Sequence, residues 1–143
     1  MSPRVFLDTN VLVYLFDRDA PEKQARAQEI LKTDGASGRA LLSTQVLQEF
    51  YVSVTRKLAE PLDPEVAYRA VEDLAALPLV SIDTPLILTA IKRHQREQVS
   101  FWDALIIEAA LTGGASLLYT EDLQHGRVIE GLRIENPFLT VKM

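Results

Sequence analysis

The chain has 143 residues, 48% hydrophobic and 24% charged, with 15 Lys and Arg against 20 Asp and Glu for a formal net charge of −5. That balance fits one soluble globular domain, residues 1–143, and argues against disorder or a broad basic surface for non-specific DNA binding. Cysteine is absent, which excludes disulfides, thiolate metal sites and cysteine nucleophiles. The early apolar run Val11 to Phe16 is six residues, too short for a signal h-region or a membrane span, so a cytoplasmic protein without membrane contact is expected.

Val5-Phe6-Leu7 is a short continuous apolar run, the pattern of a strand buried on both faces of a parallel sheet, and it ends at Asp8-Thr9-Asn10. Asp19-Ala20-Pro21-Glu22 carries helix-start chemistry, with Asp19 as the capping acid and a helix running to about Lys32. Gly35 to Gly38 reads as a loop and Ala40-Leu41-Leu42 as a second strand. From Thr44 to about Leu58, Val46, Phe50, Val54 and Leu58 recur every four positions and form one apolar helical stripe. Asp63-Pro64 supplies an N-cap followed by proline at the first helical position. The buried face of that helix (Val66, Ala67, Ala70, Val71, Leu74, Leu77) continues to Pro78. Leu79 to Ile82 is a third short strand, Thr84-Pro85 opens a helix to about Gln98, and Ser100 opens another that ends at Gly113-Gly114. Ser116 to Tyr119 is a strand feeding Thr120-Glu121-Asp122, and Leu132 to Ile134 is expected as an edge strand. This alternation predicts an α/β domain on a mostly parallel sheet.

In open parallel sheets ligands bind outside the carboxyl ends of the strands. Asp8 follows the first strand directly and Asp122 comes three residues after Tyr119, yet either could equally be a turn aspartate or a helix cap. Asp103 lies on a helix that is apolar nearly all round (Trp102, Ala104, Leu105, Ile106, Ile107), where a carboxylate needs partners. Ser100-Phe101-Trp102-Asp103 fits a capping box; that role and cation binding are compatible, and the residues alone do not choose between them. Glu49 lies about 130° from the centre of its helix stripe and reads by itself as a solvated glutamate. The basic groups Lys92, Arg93, Arg96 and Arg56-Lys57 read as solvated or helix-terminus charges rather than an RNA surface. Trp102, His94 and His125 read as structural.

The strand followed by Asp8-Thr9-Asn10, Glu49 on the third predicted helix, Ser100-Phe101-Trp102-Asp103-Ala104-Leu105-Ile106 and Leu118-Tyr119-Thr120-Glu121-Asp122-Leu123 together resemble the PIN domain, and most of all the VapC-type toxins of toxin–antitoxin pairs. The likeness spans almost the whole chain in order. It implies a three-layer α/β/α sandwich around a mostly parallel sheet of about five strands. It implies that Asp8, Glu49, Asp103 and the more variable Asp122 are catalytic, metal-binding acids, with Thr9, Asn10 and Thr120 supporting them. It implies a ribonuclease dependent on Mg²⁺ or Mn²⁺, with RNA as substrate, a cognate antitoxin as protein partner, and a homodimer.

Hard divalent cations prefer carboxylate oxygens and offset the charge that develops on a phosphodiester, making in-line attack by metal-activated water feasible. Two other readings remain. A PIN-like module could bind RNA or protein without cleaving it. Asp8 could instead be an aspartyl-phosphate nucleophile, although such phosphatases usually carry a second acid two residues on, where this chain has Asn10.

Overall fold

A computed structural model describes residues 3–139. Six strands form one sheet: β1 (Arg4–Leu7), β2 (Ala40–Ser43), β3 (Leu79–Val80), β4 (Ala115–Tyr119), β5 (Val128–Ile129) and β6 (Leu132–Glu135). Their order is β3-β2-β1-β4-β6-β5, all parallel except β5, which runs antiparallel to β6. The helices are α1 (Thr9–Val13), α2 (Pro21–Ile30), α3 (Thr44–Arg56), α4 (Pro64–Ala75), α5 (Thr84–Arg96) and α6 (Phe101–Thr112). Val5, Phe6 and Leu7, and all four residues of β2, are buried on both faces, as expected for a parallel sheet flanked by helices. The expected α/β sandwich is therefore present, with six strands rather than about five.

Chain order and sheet order diverge first at the centre of the sheet. The chain steps outward from β1 to β2 to β3, then returns to the other side of β1 as β4. Helices leaving β1 and the chain leaving β4 diverge there and open a crevice at the strand ends, the usual ligand position in such sheets. The α6 helix, apolar nearly all round, is buried from Ala104 to Ala110 and presents its N-terminus to the same region.

Several local expectations change. Asp19 does not cap α2: Ala20 occupies the N-cap without a side-chain bond, and Pro21 starts the helix with its fixed φ. The helix also continues through a π turn, Leu31–Gly35, so the loop is shorter than expected. β3 has two residues because the Ile82 N–H turns away to the Thr44 hydroxyl at 3.0 Å. The edge strand is β5, not β6. Glu130 and Gly131, with φ of 48° and 85°, make the tight turn that folds β5 back on β6. By contrast, Asp63 and Ser100 cap α4 and α6 as expected, and Asp83 caps α5. No helix among the described residues is long and apolar enough to cross a membrane.

Candidate active site

Asp8 follows β1 and caps α1. Its Oδ1 accepts from the Thr9 N–H at 2.7 Å, and Oδ2 accepts from the Thr120 hydroxyl at 2.7 Å. Thr120 follows β4, so this one bond closes the crevice between the two central strands. The Thr120 Oγ1 also accepts from the Asp122 N–H at 3.1 Å. Asn10 spans the same gap with both ends of its amide: Nδ2 donates to Asp122 Oδ2 at 2.9 Å, and Oδ1 accepts from the Glu121 N–H at 3.2 Å. Thr9, Asn10 and Thr120 thus each hold a carboxylate or the loop that carries one.

Glu49 is not a solvated glutamate. It is half-buried on α3, and its Oε1 accepts from the Thr9 hydroxyl at 2.8 Å. One turn earlier Gln45 donates Nε2 to Glu49 Oε2 at 3.4 Å and to the Trp102 carbonyl at 3.3 Å, linking α3 to the start of α6. Asp103 follows Trp102 in the first turn of α6, half-buried, with its N–H donating to the Ser100 hydroxyl at 3.0 Å. Asp122 is exposed. The four acids therefore grade from buried at Asp8 to open at Asp122.

Burial, partly offset by the bonds from Thr120 and Thr9, pushes the Asp8 carboxyl up to about 6; the charges of Asp122 and Glu49 push it the same way. Asp103 is raised mainly by burial, against a bond with Ser100, and by the charge of Asp122. Each of these pairings records one acid acting on another, so the four share one electrostatic neighbourhood. Among the described residues, however, no three Asp, Glu or His side chains converge closely enough to form a ready-made ion cage. Oxygens of Asp8, Glu49 and Asp122 are engaged instead by Thr9, Thr120, Asn10 and Gln45. The donor set fits a hard cation: all four side chains offer carboxylate oxygen, and the excess negative charge lies partly out of water. A groove of about 610 Å³ runs alongside, lined by Thr9, Asn10, Tyr14, Glu49, Lys57 and Asp122.

Two features were not expected. Gln45 lies four residues before Glu49, a spacing that places both on one helix face. The Tyr14 hydroxyl donates to Glu121 Oε1 at 2.7 Å and Lys23 pairs with Glu121 Oε2 at 2.6 Å, tying the loop before Asp122 to α2; no local pattern marks that contact. Trp102 is not a core residue but 62% exposed. His94 and His125 bond to backbone groups, as structural histidines do.

The PIN domain family model matches residues 5–130. The chain belongs to the PIN-domain family. No curated protein sequence matches it. Among solved structures, this PIN domain is similar to Mycobacterium tuberculosis VapC20, a sarcin–ricin loop cleaving toxin, with 20% identity, a TM-score of 0.61, and coverage of 82% of this chain and 89% of that one. A toxin–antitoxin complex from Klebsiella pneumoniae matches with 18% identity, a TM-score of 0.66, and 93% and 97% coverage. DNA-bound VapBC from Salmonella typhimurium matches with 22% identity, a TM-score of 0.66, and 94% and 98% coverage. These likenesses establish the fold, including the parallel sheet and its switch point.

Proposed function

We propose that this PIN domain is a metal-dependent endoribonuclease, one nuclease unit over residues 1–143, and the toxin of a toxin–antitoxin pair. The observation that carries the reading is Asp8: a buried carboxylate at the switch point, under the charge of Asp122 and Glu49 and bound to Thr120 across the crevice. Asp8, Glu49, Asp103 and Asp122 would hold Mg²⁺ or Mn²⁺. Bound there, the cation would offset charge on the phosphodiester and make hydroxide available near neutral pH.

The chain's own residues do the rest. Thr9 and Thr120 hold Glu49 and Asp8 by charge-assisted hydrogen bonds. Asn10 holds Asp122 at the open end, where an RNA backbone could enter from the groove. Lys57 on that groove offers a cation to the flanking phosphates. The similar solved structures that are toxins or toxin–antitoxin complexes support an RNA substrate and a cognate antitoxin for this chain as well; a cytoplasmic homodimer belongs to the same proposal.

Incubation of the purified protein with total RNA, with and without EDTA, tests this. The expected result is discrete cuts bearing 3′-hydroxyl and 5′-phosphate ends, abolished by EDTA. Cleavage that persists in EDTA contradicts the reading, and metal-independent RNA binding without any cut would make the protein a binding module instead.

A further inference from the structure

Gln45 is 5% exposed in the first turn of α3, among core residues such as Val46 and Phe50. Its two observed partners, Glu49 Oε2 and the Trp102 carbonyl, are both acceptors, so the NH₂ end must face them and a flipped amide would set oxygen against oxygen. That leaves Oε1 buried with no hydrogen-bond partner among the described residues. An orphaned buried acceptor is destabilising, and the two bonds that are made, at 3.4 and 3.3 Å, are long for N–H donors. As a packing residue Gln45 is therefore a poor choice, and Met would fill similar space without the penalty. What the amide does, and Met cannot, is join the helix carrying Glu49 to the residue immediately before Asp103.

We infer that Gln45 is a positioning residue of the acid centre, setting Glu49 and the N-terminus of α6 in the mutual register that a divalent cation requires. The inference rests on the reading of these acids as a cation site. It assigns Gln45 no contact with RNA. Its effect passes through the two acids on either side, as outer-sphere hydrogen bonds act on metal-binding carboxylates elsewhere.

The test is a Mn²⁺ titration of the whole protein followed by thermal unfolding, on wild type, Gln45→Met and Asp8→Asn, with RNA cleavage measured in parallel. Gln45→Leu is carried alongside as a second apolar shape. Positioning predicts a metal-free melting temperature for Gln45→Met equal to or above wild type, because the orphaned acceptor is gone. It also predicts a Mn²⁺ midpoint raised by about 10- to 100-fold, the usual cost of losing such a partner, and a lower kcat with little change in KM for RNA. A lower metal-free melting temperature with an unchanged midpoint would mean that Gln45 only packs, and overturns the inference. If Asp8→Asn loses the Mn²⁺ stabilisation while Gln45→Met keeps it at wild-type midpoint, the Gln45 assignment falls and the cation site stands. If Mn²⁺ stabilises neither wild type nor any variant, both fall together.

Discussion

Burial at Asp8 penalises the very charge that its chemistry would use. Its carboxyl is held at about 6 in the folded chain against an ordinary 3.8, so the folded state keeps the proton more tightly than the unfolded one. Stability is then fully retained below about pH 4, declines as pH rises through 6, and stays lower above it, by about 3 kcal/mol for a shift of this size. Asp8→Asn removes that titration. In metal-free protein it should melt several degrees above wild type at pH 8 and converge with it near pH 4; a difference independent of pH would refute this origin. The Thr120 hydroxyl works in the opposite direction, stabilising the charged form. Thr120→Val should raise the Asp8 carboxyl further, since a bond to a charged acceptor contributes about 1.5–3 kcal/mol. The acid limb of the RNA-cleavage pH profile should move up by about one unit or more. At this scale Asp8 and Asp122 were legible from their places after strands. Glu49 was not, because its helical angle points away from the apolar stripe, and the Thr9 hydroxyl that claims it comes from 40 positions away in the chain.

Helix-level organisation depends on one buried guanidinium. Arg93, 3% exposed on α5, donates Nε to Glu108 of α6 at 2.5 Å, Nη1 to Glu97 at 2.6 Å and Nη2 to Glu130 in the β5–β6 turn. Arg127 joins Glu97 from the other side at 3.1 Å. The sequence places Arg93 in a basic cluster at a helix end and suggests a solvated charge; three acids, Glu97 one turn on and Glu108 and Glu130 from other elements, close over it instead. Arg93→Met would leave Glu108 buried without its partner, at a cost of about 3–5 kcal/mol, measurable by urea unfolding. Adding Glu108→Leu to that variant should recover much of the loss. At the far end of α6, Gly113 has an ordinary helical φ, but an added Cβ would lie 2.3 Å from Leu41 Cδ2 and 2.9 Å from Val80 Cγ2. Gly113→Ala should therefore destabilise by about 1–3 kcal/mol through crowding against β2 and β3. Element ends were legible where an Asp or Ser side chain does the capping, as at Asp63 and Ser100. They were misread at Asp19, where proline alone starts the helix.

For the molecule as a whole, continuous apolar strands alternating with helices were enough to foretell a parallel α/β sheet, since only burial on both faces makes such runs stable. The β5–β6 hairpin was not foretold. Its strand β5 has two residues, and its turn uses Glu130 in a positive-φ conformation where Asn or Asp is the familiar signal. Sheet order was beyond local pattern too, yet it determines the site, because the return to β4 brings residues 8 and 120–122 together. The most direct measurement of that convergence is calorimetric titration of Mn²⁺ into wild type and into Asp8→Asn, Glu49→Gln, Asp103→Asn and Asp122→Asn. A shared centre predicts saturable binding in wild type that is weakened in every variant, most strongly at Asp8 and Asp103. Wild-type affinity retained in Asp8→Asn or Asp103→Asn would show that these acids do not serve one cation site.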